Sequence, residues 1–293
     1  KEPPRVDFSK FAHEMGYLAQ QTSKAQRETM PWLTEWAKRL RQLHDEFETI
    51  RKSDPMVLYE PKNAAAWEFH RSLAYIRYFR AGNRSSKTQS GYAEDYFAVT
   101  GYHPFRPMAQ GQASAFIVAG LPFVDYAPKV FEKKLFQGED GNVLSPMFPE
   151  NGKWFYSYDK KDHVLTLACS ECAERGLAQS CPGHHRKYTL ALVSSEKGVG
   201  VIEAFTSRVG HIDEHVPEEF LHAMKMRVAD QRGYLIVTGT PLHGPDAWEK
   251  KKLADRAEMP ASQNRFDPKD PRSIPYISLH QCSQFDGGIV DHD

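Results

Sequence analysis

The sequence predicts an α/β fold with a mainly parallel central sheet. Short apolar stretches that are typical of buried strands recur along the chain, and a helical pattern follows two of them, after residue 86 and after Asp213-Glu214. Buried strands that alternate with helices are characteristic of parallel sheets. With 293 residues and 40% hydrophobic content, the chain can bury the core of one large or two small domains.

Charge and hydropathy exclude several classes of protein. The chain has 38 basic and 38 acidic residues, so any nucleic-acid contact must come from local patches. No apolar run approaches the length of about 18 residues that a membrane span needs, and no signal peptide opens the chain, so we expect neither a membrane nor a secreted protein. The first residue is not Met and the last residues, "GGIVDHD", form no obvious ending, so we expect a fragment of a longer protein.

The N-terminal region is predicted to be helical over residues 8–53. We interpret residues 1–55 as a helical arm that ends at Ser53-Asp54-Pro55 and packs by an apolar stripe, or alternatively docks a partner. The stripe has 3–4 residue spacing and consists of Trp32, Leu33, Trp36, Leu40, Leu43 and Phe47.

The remaining elements follow from the same patterns. Helices are predicted at about 63–72, from Ser86 or Lys87 onward, and at about 217–230, and residues 136–153 and 259–275 are predicted to be a long loop and a linker. Strands are predicted in 73–82, 114–120, 163–172, 187–195, 199–205, 208–215 and 233–244.

The stretch "FRAGNRSSKTQSGY" (79–92) nearly matches the phosphate-binding pattern G-x-x-x-x-G-K-S/T. Lys87 and Thr88 are in place, whereas Ala81 and Ser86 replace the two glycines. The predicted order of strand, loop and helix is the one that such a loop requires. Lys87 would reach the β- and γ-phosphates of ATP, and Thr88 would bind Mg²⁺; an ordinary strand–helix turn is the alternative. The predicted nucleotide-binding residues are Gly82, Asn83, Arg84, Ser85, Ser86, Lys87, Thr88 and Gln89.

A strand that ends in Asp213-Glu214 has the arrangement of a Walker B motif. Asp213 would hold the Mg²⁺ shell, and Glu214 would orient and deprotonate the attacking water. A solvated strand end is the alternative interpretation of this acidic pair.

A hydroxyl-bearing turn, Thr238-Gly239-Thr240, follows the apolar "YLIV". Parallel sheets bind ligands at this end of their strands, so the turn could sense the γ-phosphate and couple its loss to movement. A plain strand-to-loop turn is the alternative. The order of Lys87, Asp213-Glu214 and this turn is that of a RecA-like motor core, which predicts ATP hydrolysis.

A cysteine cluster of the form C-x2-C-x8-C-x2-H lies between two predicted strands. Three thiolates and one imidazole suit a closed, tetrahedral, structural Zn²⁺ site at the tip of a β-ribbon inserted at about 163–190. Reduced surface thiols are the alternative, and Cys282 is given no role. The predicted ligands are Cys169, Cys172, Cys181 and His184, with His185 as the alternative fourth ligand.

The other histidines lack the spacing that a metal site demands. We predict hydrogen-bonded structural roles for His70, His103, His211 and His243.

Several of these stretches together resemble the ATPase core of the large terminase subunit of tailed phages. The resemblance covers about 56–293. Its parts are the loop "GNRSSKT", the segment "TGYHP" (100–104), "HIDEHVPEEF" (211–220), "YLIVTGTPLHG" (234–244) and the terminal "SQFDGGIVDHD" (283–293).

The resemblance implies a RecA-like P-loop ATPase of the type with an additional strand and a catalytic glutamate. It implies ATP-driven translocation of double-stranded DNA into a procapsid. The motor would be a homo-oligomeric ring docked on the portal protein, with the small terminase subunit as a further partner. It would act in the host cytoplasm during viral assembly. The implied domains are 1–55 as the helical region, 56–270 as the ATPase core and 271–293 as the start of a lid or linker. Family members also carry a nuclease domain, and this chain has no remaining stretch of sequence that we assign to it.

The resemblance also assigns residues and shows departures. Arg84 matches a loop arginine that activates hydrolysis in the family, although it lies one residue closer to Lys87 than in other members; a surface phosphate or carboxylate contact is its alternative. Ala64-Ala65-Ala66 occupies the stretch where family members have an adenine-reading Gln, and Ser86 stands for Gly. Two other functions remain open at this point: a helicase or DNA-repair translocase, and a zinc-bearing nucleic-acid-binding or assembly protein that does not hydrolyse ATP.

Overall fold

The computed structural model describes residues 31–83, 85–105, 115–120, 122–139, 142, 144–168, 188–241, 247–258 and 276–282. The chain divides into two compact units, Lys1–Ser53 and Asp54–Asp293. The described part of the first unit is helix α1 (Pro31–Ser53), which agrees with the predicted helix. Residues 8–30 of that prediction lie outside the described residues.

The described part of the second unit is built on an eight-stranded sheet with the order β3-β4-β5-β2-β6-β7-β1-β8. The strands are β1 (Ile76–Ala81), β2 (Ala115–Ala119), β3 (Tyr156–Asp159), β4 (Val164–Leu167), β5 (Tyr188–Ser194), β6 (Val209–Asp213), β7 (Tyr234–Gly239) and β8 (Ile277–Cys282). The helices are α2 (Ala64–Arg71), α3 (Lys87–Thr100), α4 (Phe123–Tyr126), α5 (Glu218–Ala229) and α6 (Asp255–Ala257). Wider π-helical turns extend α4 through Ala127–Phe131 and Lys133–Gln137, and another, Lys250–Ala254, leads into α6.

The sheet is mostly parallel, as predicted. Pairs from β5 through β2, β6, β7 and β1 to β8 are parallel, whereas β3, β4 and β5 pair in antiparallel fashion at one edge. In the register of the central strands, Asp213 lies between Ala119 of β2 and Thr238 of β7. The predicted Walker B and coupling residues therefore meet at the carboxyl edge of the sheet.

Apolar side chains cover both faces of the sheet because successive strand residues point to opposite sides. On β2, Ile117 belongs to an apolar cluster that includes residues of α2, α3 and α4, whereas Phe116 belongs to a second cluster that includes residues of α5. Helix α3 is buried along most of its length. This position holds its first turn, which carries Lys87 and Thr88, against the strand ends.

The prediction of a strand at 199–205 is wrong. Val199–Ala204 forms 3₁₀ turns instead. Val199, Ile202 and Phe205 recur every three residues, which matches the period of about three residues per turn of a 3₁₀ helix, and all three contact one core cluster. A short apolar run does not reveal by itself which of the two conformations it adopts.

Two further segments contain secondary structure that the sequence does not predict. The predicted loop at 136–153 begins inside the π-helical turn that ends at Gln137, and its other described residues are irregular. Strand β8 lies within 271–293, the range assigned to a lid or linker, and pairs with β1 along the whole length of both strands. Among the described helices, none is both long and apolar enough to cross a membrane.

Candidate functional site

The predicted phosphate-binding loop connects β1 directly to α3, in the order that the motif requires. Ser86 has a left-handed backbone with φ of 62°. This conformation costs a residue with a side chain about 1–2 kcal/mol and costs glycine almost nothing. The backbone at this position therefore favours the glycine that the motif specifies. Ser86 adopts the left-handed conformation nevertheless, and its hydroxyl donates to Ser85 O at 2.6 Å.

The loop is fixed from two sides. Ser85 Oγ donates to Gly82 O at 2.6 Å, which closes the turn. Asn63 caps α2 by accepting from Ala66 N at 2.8 Å, and its amide donates to Ser85 O at 3.4 Å. The loop is therefore linked to the N-terminus of α2, where Ala64-Ala65-Ala66 begins the helix. Arg84 lies outside the described residues.

The two residues that open α3 face the acidic pair at the end of β6. Lys87 Nζ lies 2.9 Å from Glu214 Oε1, and the lysine side chain is only 8% exposed. Thr88 Oγ1 lies 3.5 Å from Asp213 Oδ1. The structure thus brings together all four residues that the motifs single out as phosphate-, metal- and water-handling groups.

Gln89, the last of the predicted loop residues, contacts a lysine outside the loop. Its Oε1 accepts from Lys134 Nζ at 3.3 Å, on the helical segment that extends α4. Gln89 therefore connects α3 to that segment.

Glu214 is held in an unusual conformation at the strand end. Its φ is 66°, and its N–H donates to Thr238 O at 2.7 Å. Its carboxylate accepts from Thr240 N at 3.0 Å and from Thr240 Oγ1 at 3.2 Å. Left-handed backbone in a residue with a side chain concentrates at functional sites, and here it turns the carboxylate toward Lys87.

The predicted coupling turn contacts both carboxylates. Thr238 Oγ1 donates to Asp213 Oδ1 at 2.6 Å, and Thr240 contacts Glu214 as described above. Gly239 ends β7 between these two threonines. A change in either acidic side chain would therefore reach the β7 turn through direct hydrogen bonds.

Tyr126 is a site residue that the sequence analysis missed. Its hydroxyl donates to Asp213 Oδ2 at 2.5 Å and accepts from Tyr92 OH at 3.1 Å. Burial and the neighbouring Asp213 charge raise the pKa of Tyr126 well above its usual value, so it remains a neutral donor. No motif marks Tyr126, because it lies 87 residues before its partner and on a different element.

His211 also contacts this centre, although its predicted role was purely structural. Its Nδ1 lies 2.7 Å from Asp95 Oδ2, and its Nε2 lies 2.8 Å from Thr238 Oγ1. Burial raises the pKa of Asp95 to about 6, and the imidazole opposes that rise. The prediction that His211 is hydrogen-bonded is confirmed.

A second buried network occupies the far part of α3. Glu94 Oε1 contacts His70 Nδ1 at 2.7 Å and His103 Nε2 at 3.1 Å, and its Oε2 contacts Arg77 Nη2 at 2.7 Å. The hydrogen-bonded roles predicted for these two histidines are confirmed, and His243 lies outside the described residues.

The cluster of His70, Glu94 and His103 has metal-ligand chemistry, with one ligand atom from each residue within 4.8 Å of the others. However, all of these side chains and that of Arg77 are fully buried. The carboxylate already balances the guanidinium, so a divalent cation would bury excess positive charge. We therefore interpret this cluster as a structural ion-pair network.

The predicted zinc ligands lie outside the described residues. The strands that flank them, β4 and β5, pair in antiparallel fashion from Val164↔Ala191 to Leu167↔Tyr188. The cysteine segment therefore connects two neighbouring antiparallel strands.

Comparisons with known proteins address the fold. No protein-family model matches the sequence, and a search of curated proteins finds no match. Among solved structures, the chain is similar to the large terminase ATPase domain of Thermus phage P74-26, with 16% identity, a TM-score of 0.50 and coverage of 78% of this chain and 82% of that chain. At this identity the likeness is one of architecture, and it shows that this chain shares the fold of that domain.

Proposed function

We propose that this chain is an ATP-hydrolysing motor subunit. The observation that carries the proposal is the convergence of two pairs at the carboxyl edge of a parallel sheet: Lys87 with Glu214 and Thr88 with Asp213. A cation, a hydroxyl and two carboxylates at a strand–loop–helix junction are the groups that phosphoryl transfer to water requires.

Each of these residues has a separate role in the proposal. Lys87 and the backbone N–H groups of the loop bind the phosphates of ATP. Thr88 and Asp213 would hold Mg²⁺, since a hydroxyl and a carboxylate are the oxygen ligands that this ion prefers. Mg²⁺, when bound, neutralises negative charge on the phosphate oxygens.

Glu214 is the proposed general base. In the structure its carboxylate pairs with Lys87, so the γ-phosphate competes with Glu214 for the same ammonium group. Binding of ATP would release Glu214 from Lys87 while Thr240 continues to hold it. The base becomes available only when its substrate is present, and Arg84 is proposed to activate the reaction.

The finer proposal is packaging of double-stranded viral DNA. The likeness to a large terminase ATPase domain and the resemblance of the motifs support it. Under this proposal, residues 56–270 form the motor core and 1–55 a helical arm, and subunits act as a ring with the portal protein and small terminase subunit in the host cytoplasm.

ATP hydrolysis with Mg²⁺, measured with and without double-stranded DNA, tests the proposal. We expect Lys87→Ala to weaken ATP binding about 10- to 100-fold, because one charge-assisted hydrogen bond contributes about 1.5–3 kcal/mol, and to lower the hydrolysis rate at limiting ATP. The matched control is Lys160→Ala, at an exposed position in the turn between β3 and β4, which should keep parental activity. A parent protein that neither binds nor hydrolyses ATP would favour the non-hydrolysing nucleic-acid-binding alternative.

Metal removal tests the proposed zinc site of Cys169, Cys172, Cys181 and His184. We expect one Zn²⁺ per chain and a lower melting temperature after chelation, because a structural zinc site contributes directly to folding free energy. Cys172→Ser should reproduce the effect, whereas Cys282→Ser, on β8, should retain the metal. A melting temperature unchanged by chelation would contradict the stabilising role.

A further inference from the structure

A continuous line of buried hydrogen bonds connects the middle of α3 to the carboxylate of Asp213. Asp95 Oδ2 lies 2.7 Å from His211 Nδ1, and His211 Nε2 lies 2.8 Å from Thr238 Oγ1. Thr238 Oγ1 then lies 2.6 Å from Asp213 Oδ1. None of these side chains has more than 1% of its surface exposed, so water does not compete for their hydrogen bonds.

Donor and acceptor chemistry fixes the direction of each hydrogen bond between His211 and Asp213. A carboxylate accepts hydrogen bonds and the threonine hydroxyl has one hydrogen, so the 2.6 Å contact requires Thr238 to donate to Asp213. The oxygen of Thr238 must then accept from His211, which places a hydrogen on Nε2. A further proton lies between Nδ1 and Asp95, on either atom, and both placements leave the Nε2 hydrogen in position.

Asp213 is therefore held at both of its oxygens. Thr238 donates to Oδ1, and Tyr126 donates to Oδ2 at 2.5 Å. Two donors on a buried carboxylate restrict its rotation, and Oδ1 is the oxygen that lies 3.5 Å from Thr88 Oγ1.

The backbone makes room for the imidazole. A Cβ atom added at Gly91 would lie 2.4 Å from Cε1 of His211 and 3.1 Å from Cγ2 of Thr238. Helix α3 thus approaches the two side chains at the one residue type that allows it. The ring therefore lies directly against the backbone of α3 while its Nε2 contacts Thr238.

We propose that Asp95 and His211 are positioning residues that aim the Thr238 hydroxyl at Asp213 and so hold its carboxylate ready for Mg²⁺ beside Thr88. The inference rests on the proposed function and adds to it the residues that orient Asp213, the proposed metal ligand. Groups that orient a metal ligand typically change metal affinity or activity about 10- to 100-fold when they are removed.

The test compares two substitutions at one position. His211→Leu removes the donor, whereas His211→Gln retains an amide N–H that can point at Thr238. We expect His211→Leu to lower kcat about 10- to 100-fold, with little change in KM for ATP, and to weaken equilibrium binding of Mg²⁺, measured by calorimetry with a non-hydrolysable ATP analogue, by a similar factor. His211→Gln should recover most of the loss, and His280→Gln, at a buried histidine on β8, should match the parent.

A double-variant cycle separates positioning from a general loss of structure. Thr238→Val removes the hydroxyl with little change of shape, so His211→Leu should cause no further loss of kcat in that background. Independent, multiplying losses would overturn the proposal, as would parental activity in both His211 variants. If His211→Leu does not fold, His211→Asn against His211→Gln decides, since the shorter asparagine amide matches the Nδ1 position and does not reach Thr238, whereas the glutamine amide matches Nε2; equal activity of these two variants would overturn the proposal.

The possible failures are distinguishable. A parent protein without ATP hydrolysis overturns the proposed function and this inference together. An active parent whose His211 and Thr238 variants are equally active overturns this inference alone.

Discussion

Replacing Glu214 with Gln is expected to lower the rate of ATP hydrolysis about 10²- to 10⁴-fold, the usual contribution of a positioned general base. ATP binding should persist or tighten. Glutamine can still accept from Thr240 N through its carbonyl oxygen, but it carries no charge to pair with Lys87. The ammonium group of Lys87, no longer neutralised by its 2.9 Å partner, is then free for the phosphates.

Single-turnover hydrolysis and equilibrium binding of ATP, measured on the same preparation, separate the two effects. Glu219→Gln, at an exposed glutamate in the first turn of α5, is the matched control and should hydrolyse at the parental rate. Rapid hydrolysis by Glu214→Gln would show that another group activates the water. Loss of binding together with hydrolysis would show instead that the Lys87–Glu214 pair supports the loop.

The proximity of Lys87, Asp213 and Thr238 could be predicted from the sequence because each residue belongs to a locally encoded pattern. Lys87 and Thr88 follow a strand and open a helix, and Asp213 ends an apolar strand. In a parallel sheet the ends of such strands lie at one edge. Local patterns and one rule of topology therefore suffice to bring Lys87, Asp213 and Thr238 together.

The side chains that support this centre could not be predicted from local patterns. Asp95 and His211 are 116 residues apart, and their contact depends on the packing of α3 across the sheet. Tyr126 belongs to a helix that no sequence pattern marks. The same holds for β8, whose short run of residues becomes a strand because β1 offers it a free edge. Contacts of this kind form only when the helices and strands pack together in the folded protein.

The largest loss of stability is expected for Glu94→Gln. The carboxylate balances Arg77 at 2.7 Å, and both side chains have 0% exposure. Glutamine is nearly the same size but leaves the guanidinium buried without a counter-charge, which costs about 3–5 kcal/mol when one partner of a buried pair is removed. Unfolding by urea, followed by tryptophan fluorescence, measures the change in the free energy of unfolding.

A second substitution tells the uncompensated charge apart from lost packing. Arg77→Met in the Glu94→Gln background removes the guanidinium as well, so the double variant should be more stable than Glu94→Gln alone. Glu196→Gln, at an exposed position, should change stability by less than about 0.5 kcal/mol. A loss below about 1 kcal/mol for Glu94→Gln, the range of a surface ion pair, would contradict the network. A double variant no more stable than the single one would mean that the two histidines, His70 and His103, and not Arg77, depend on the carboxylate.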